Sequence, residues 1–66
     1  MILLKENAPA QVKLFKVQPA GPFILKTFAG NTELYSVRKS SWKVIQQLYN
    51  NAVLAADAKR NLHHGL

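Results

Sequence analysis

The hydrophobic pattern of the chain changes period at Ser40. Before it, short apolar stretches alternate loosely with polar residues and are punctuated by glycine and proline. After it, Val44, Ile45, Leu48, Tyr49, Ala52, Val53, Ala55 and Ala56 recur at i, i+3 and i+4, the spacing of one face of a helix. This predicts a helix over about 41–58 with that stripe turned inward and Trp42 at its margin. Ser40 or Ser41 can cap its start, and Lys59 and Arg60 complement the negative end of its dipole. Residues 61–66 (NLHHGL) read as a frayed tail.

The chain before Ser40 predicts strands. Residues 1–5 form a short apolar segment, after which Pro9 biases Ala8 away from helical geometry and starts a loop. Residues 11–18 (QVKLFKVQ) are rich in strand formers and are closed by the turn Pro19-Ala20-Gly21-Pro22. Residues 22–29 and 32–37 flank Gly30-Asn31, a pair tolerant of positive φ and so the mark of a tight hairpin. The expected fold is α+β in a single domain, 1–66: a three-stranded antiparallel sheet, with 1–5 as a candidate fourth strand, followed by one C-terminal helix packed on one face (βββα).

One helix of this length, about 27 Å, covers one side of a small sheet and not two. Lys13-Leu14-Phe15-Lys16 and Phe23-Ile24-Leu25 place apolar side chains on both sides, so the second face is expected to keep exposed apolar surface. The three phenylalanines Phe15, Phe23 and Phe28 are expected to fill the core against Trp42 and Tyr49.

The strand-strand-strand-helix order over roughly residues 11–58 resembles that of the small DNA-binding domains at the N-termini of some phage-type integrases, and of plant AP2-type domains. The resemblance implies a sheet that enters the major groove. It is one of element order and carries no residue assignment.

Composition narrows the functional classes. A hydrophobic content of 48% is too high for a disordered chain, and the absence of cysteine leaves neither disulfides nor a thiolate zinc set. No apolar run reaches the roughly 20 residues of a membrane span, and Met1-Ile2-Leu3-Leu4 is too short for a signal peptide. No membrane association is expected, and the cytoplasm is the default compartment. The acids are Glu6, Glu33 and Asp57 and the only histidines are the adjacent His63 and His64, so no catalytic arrangement, metal site or cofactor is expected.

The remaining signal is charge: a formal +6 and a pI near 10.1 point to a polyanionic partner. Arg38, Lys39 and Lys43 surround the predicted helix start, where an acid is ordinarily favoured. A phosphate bonded to Ser40 or Ser41 and paired with these cations offsets that penalty. Gln47 and Asn50, with Gln46 and Asn51, form an amide-rich helix face suited to base edges. Lys13, Lys16 and Lys26 extend the basic track if they share a face of the sheet. The leading expectation is a small nucleic-acid-binding protein, a regulator or accessory factor acting on DNA or RNA. The alternative is a protein-binding module or inhibitor of the kind carried by phages and mobile elements. It would engage an acidic protein, or a second copy of itself, through the uncovered sheet face or through Leu54, which falls within the polar helix arc.

Overall fold

Four antiparallel strands, β1 (Ile2–Asn7), β2 (Val12–Lys16), β3 (Phe23–Ala29) and β4 (Thr32–Lys39), lie side by side in chain order in one open sheet. One helix, α1 (Trp42–His64), follows them and packs across one face. The computed structural model describes residues 1–18 and 20–64, the side chains of 60–64 excepted. The N-terminal segment is thus the fourth strand, hydrogen-bonded at the sheet edge and not folded over the second face.

The helix outruns its expected end. It continues past Ala58 through 61–64, which read as a tail, because no glycine or proline interrupts the sequence before Gly65. The side chains of His63 and His64, and all of Pro19, lie outside the described residues. No helix among the described residues is long and apolar enough to cross a membrane.

The core is thin. Val12 and Leu14 from β2, Leu25 from β3, and Ile45 and Tyr49 from α1 are buried, with Ala10, Phe23, Val37, Leu48, Ala52 and Val53 packed around them. Register explains the selection: Leu14 pairs with Leu25, and Leu25 with Val37, so one cross-strand row faces the helix. Strand alternation then sends the neighbours Phe15 and Ile24 to the opposite face. Of the three phenylalanines expected inside, only Phe23 adjoins the core, and Phe15 and Phe28 lie on the uncovered face. Val44 and Ala55, expected in the buried stripe, are exposed, because one sheet face meets only the arc of α1 centred on Ile45 and Tyr49. Farther along, Ala55, Ala56 and Ala58 line, with Leu34 and Tyr35, an apolar cleft of about 530 Å³.

Both edge strands contain a bulge, and each bulge decides which face a charge occupies. In β1 the register passes from Leu3↔Phe15 to Lys5↔Leu14, so Leu4 is the extra residue. Lys5 therefore shares the helix side with Leu14, whereas a regular strand would put it on the same side as Leu3. In β4 the register passes from Glu33↔Phe28 to Tyr35↔Thr27, with Leu34 extra. That residue separates Glu33, on the uncovered face, from Tyr35, Val37 and Lys39 on the helix side.

Gly30 takes positive φ (63°) in the two-residue hairpin between Ala29 and Thr32. Gln11 does so as well (φ 57°), a conformation that costs a non-glycine residue about 1–2 kcal/mol. Three hydrogen bonds hold it. Its N–H donates to the Ala8 carbonyl (3.1 Å), its carbonyl accepts from the Phe28 N–H (2.9 Å), and its Oε1 accepts from the Gly30 N–H (2.6 Å).

Candidate nucleic-acid interface

The end of the sheet nearest the helix start is organised by one cross-strand row. Ile2 pairs with Lys16, Lys16 with Phe23, and Phe23 with Lys39, placing these residues in line on the helix side. Trp42, the first residue of α1, lies over this row with its ring centroid 5.2 Å from that of Phe23 at a tilt of 53°. Trp42 remains 39% exposed. Lys16 Nζ sits 5.6 Å from the Phe23 ring, and Lys5 Nζ lies 5.8 Å from Trp42 and 5.7 Å from Tyr49. These are cation–π distances. The bulge at Leu4 is what brings Lys5 here.

Ser41 sets the helix start. Its Oγ accepts from the Val44 N–H (3.3 Å) while its carbonyl accepts from the Ile45 N–H (3.1 Å), which makes it the N-cap. Ser40 is exposed at the bend before it. Lys43, in the first helical turn, is exposed, and that turn contains no acid.

The basic residues expected to form one track are divided between two surfaces. Lys16 and Lys39 lie on the helix side, while Lys13 and Lys26 lie on the uncovered face, paired with each other across β2 and β3. Arg38 pairs with Ile24 and so also belongs to the uncovered face, at the same end of the sheet as Lys39. Gln47 and Asn50 are exposed on the outer side of α1 together with Asn51 and Leu54, the last 65% exposed. These four stand apart from the sheet.

The acids separate the two surfaces electrostatically. Lys13 Nζ is 3.6 Å from Glu6 and Lys26 Nζ is 3.0 Å from Glu33, so the lysines of the uncovered face are each matched by a carboxylate. Those lysines also lie against aromatic rings, Lys13 over Phe28 (5.3 Å) and Lys26 over Phe15 (5.9 Å). Among the described residues, Lys5, Lys16, Arg38, Lys39 and Lys43 form no ion pair. Most of the uncompensated charge among the described residues therefore gathers at one end of the molecule, around an exposed tryptophan, with Lys59 apart on α1.

Sequence reasoning singled out Lys16, Arg38, Lys39, Ser40, Ser41 and Lys43 but not Lys5, Phe23 or Trp42 as members of this surface. Trp42 carried the available signal, an aromatic at the edge of the helical stripe and flanked by cations. Comparison with protein-family models, with curated proteins and with solved structures finds no match to this chain.

Proposed function

We propose that this protein binds nucleic acid, DNA or RNA, in the cytoplasm, through the cluster of Lys5, Lys16, Lys39 and Lys43 around Trp42, with Arg38 at its rim. The observation that carries the reading is the segregation of charge. Lysines that face a carboxylate lie on the uncovered sheet face, and of those that face none, Lys5, Lys16, Lys39 and Lys43 collect at the helix start while Lys59 stands apart near the other end of α1. Phosphates neutralise such a cluster, and displaced counterions supply affinity that falls with salt. The domain resembled by element order uses its sheet in the major groove, but here the uncovered sheet face has its lysines already matched, which favours the helix-start end instead.

The test is fluorescence anisotropy with labelled oligonucleotides at about 50 and 200 mM salt. Joint replacement of Lys16, Lys39 and Lys43 by Ala is expected to weaken binding and to flatten the salt slope by about one unit for each phosphate the protein no longer neutralises. Replacing Lys13 and Lys26 by Ala is expected to leave the slope nearly unchanged. Equal effects of the two sets would defeat the assignment.

One observation favours a second reading for the opposite side of the sheet. Leu3, Phe15 and Ile24 form a continuous apolar row there, ending at Arg38 and lying beside the matched pairs Glu6–Lys13 and Lys26–Glu33. An apolar strip beside matched charges suits a protein surface, including that of a second copy, better than a polyanion.

A further inference from the structure

Resting on the nucleic-acid reading above, we infer that the ligand is single-stranded and that an unpaired base stacks on Trp42, between phosphates held by Lys16 and Lys39. The geometry that points there is the alternation of cation, aromatic and cation within one row. Lys16, Phe23 and Lys39 occupy three adjacent strands, and Trp42 sits on the central residue. Strands lie about 4.8 Å apart, so the two lysines flank the aromatic pair at about 10 Å between their backbones. Side chains on both sides can thus hold a backbone while a base between them meets an aromatic face.

A duplex makes poor use of this arrangement, because its base faces are buried in its own stack and only phosphates and groove edges are presented. Cations alone would satisfy it, and the exposed indole would have no part. Single strands are held by the combination found here, a positive surface for the backbone and aromatic rings for the bases. Phe23 supports Trp42 from beneath, so the ring is held in place before ligand arrives. Lys5, which lies against the Trp42 ring in the free protein, is drawn to a phosphate and leaves ring surface for the base.

The surface better shaped for a groove is the outer side of α1, with Lys43, Gln47 and Asn50. It carries the 65%-exposed Leu54 in its middle. Beyond Lys43, no cation appears on α1 until Lys59 to fix it on the two phosphate strands that border a groove. Of the other aromatics outside the core, Phe15 and Phe28 lie under Lys26 and Lys13, which Glu33 and Glu6 hold in place, and Tyr35 lines the apolar cleft with Leu34 and the alanines of α1.

Trp42 is the sole tryptophan of the chain, so its emission reports directly on the site. The intact protein is titrated with an oligothymidylate of about 12 nucleotides, a length within the range one small domain occupies, and with a duplex of equal length, at about 50 mM salt. Anisotropy and tryptophan emission are followed together. The expected result is quenching by oligothymidylate along the anisotropy curve, with weaker binding and little quenching by the duplex. Trp42→Leu is expected to lower single-strand affinity about 10-fold, the loss of one stacked base, with an unchanged salt slope. Trp42→Phe is expected to retain most of the affinity. If Trp42→Leu fails to fold, as circular dichroism would show, the wild-type quenching and the Trp42→Phe affinity decide. Salt-dependent binding to both ligands without quenching, or tighter binding of the duplex, would overturn the stacking while leaving the phosphate-binding surface in place. Absence of binding to either ligand would remove both readings together.

Discussion

Lys13 and Lys26 stand directly opposite each other on β2 and β3, the two central strands, on the face the helix leaves open. Like charges in that position destabilise a sheet. Each is drawn outward by an acid on an edge strand, Lys13 by Glu6 of β1 and Lys26 by Glu33 of β4. The two lysines are thus matched because the edges of that face carry acids, whereas Arg38 at its end is not. Replacing one acid by its amide should cost at most about 1 kcal/mol, since both pairs are partly exposed, with Glu33→Gln the larger at 3.0 Å against 3.6 Å. The double variant Glu6→Gln, Glu33→Gln should also acquire a second phosphate-binding surface. Its affinity for an oligonucleotide should rise and its salt slope steepen relative to the parent protein. An unaltered slope would show that these lysines cannot reach a nucleic acid even when freed.

The helix cap allows stability and binding to be separated. Ser41→Asp preserves an acceptor for the Val44 N–H and places a negative charge at the positive end of α1. It should hold or raise the melting temperature while weakening nucleic-acid binding, because the new charge sits beside Lys39 and Lys43. Ser41→Ala should cost about 1 kcal/mol with little effect on affinity. If Ser41→Asp binds as tightly as the parent, the helix start is not part of the interface.

At Gln11 the usual ranking of substitutions should invert. The residue holds φ 57° and also accepts from the Gly30 N–H, joining the β1–β2 turn to the β3–β4 hairpin. Gln11→Ala loses the bond and keeps the backbone penalty, whereas Gln11→Gly loses the bond and relieves it. Alanine should therefore be the more destabilising replacement, by about 1 kcal/mol in denaturant titration. Equal effects would place the importance of Gln11 in its side chain alone.

The order of elements was legible because each depends on local pattern: the stripe through Ile45 and Tyr49, the Gly30 hairpin, and the strand formers around Leu14 and Leu25. The faces were less legible. Lys13 and Lys16 are three residues apart, and a regular strand already puts them on opposite sides. That Lys13 meets Lys26 depends on how the β2–β3 connection, closed by the Val17 N–H donating to the Pro22 carbonyl, sets the register, which no local pattern states. Lys5 reaches Trp42 only because Leu4 is extra, and Glu33 leaves the side of Lys39 only because Leu34 is. A bulge is a property of a pair of strands, so one strand's sequence does not announce it. The candidate site was therefore half visible: the helix-start cations could be read from their neighbours in sequence and Lys16 was in view as part of a strand track, but which strand cations lie on the helix side to join them was not.

Ile24 and Leu25 are adjacent in β3 and point to opposite faces, which makes them a test of what the open face does in solution. Leu25 is 1% exposed between Leu14 and Val37, and its truncation to Ala should cost about 2–5 kcal/mol. For a domain of this size the whole stability is about 3–10 kcal/mol, so Leu25→Ala should be largely or wholly unfolded at 37 °C. Ile24, half-buried on the open face beside Phe15, should lose about 1 kcal/mol or less on the same change, and the loss should not depend on protein concentration. A larger loss that grows on dilution would mean that a second copy covers the open face. The apolar row of Leu3, Phe15 and Ile24 would then be a dimer surface, with the Trp42 end of each copy left outside the contact. Light scattering over the same concentration range checks the distinction directly, because only the second outcome makes mass fall in step with stability.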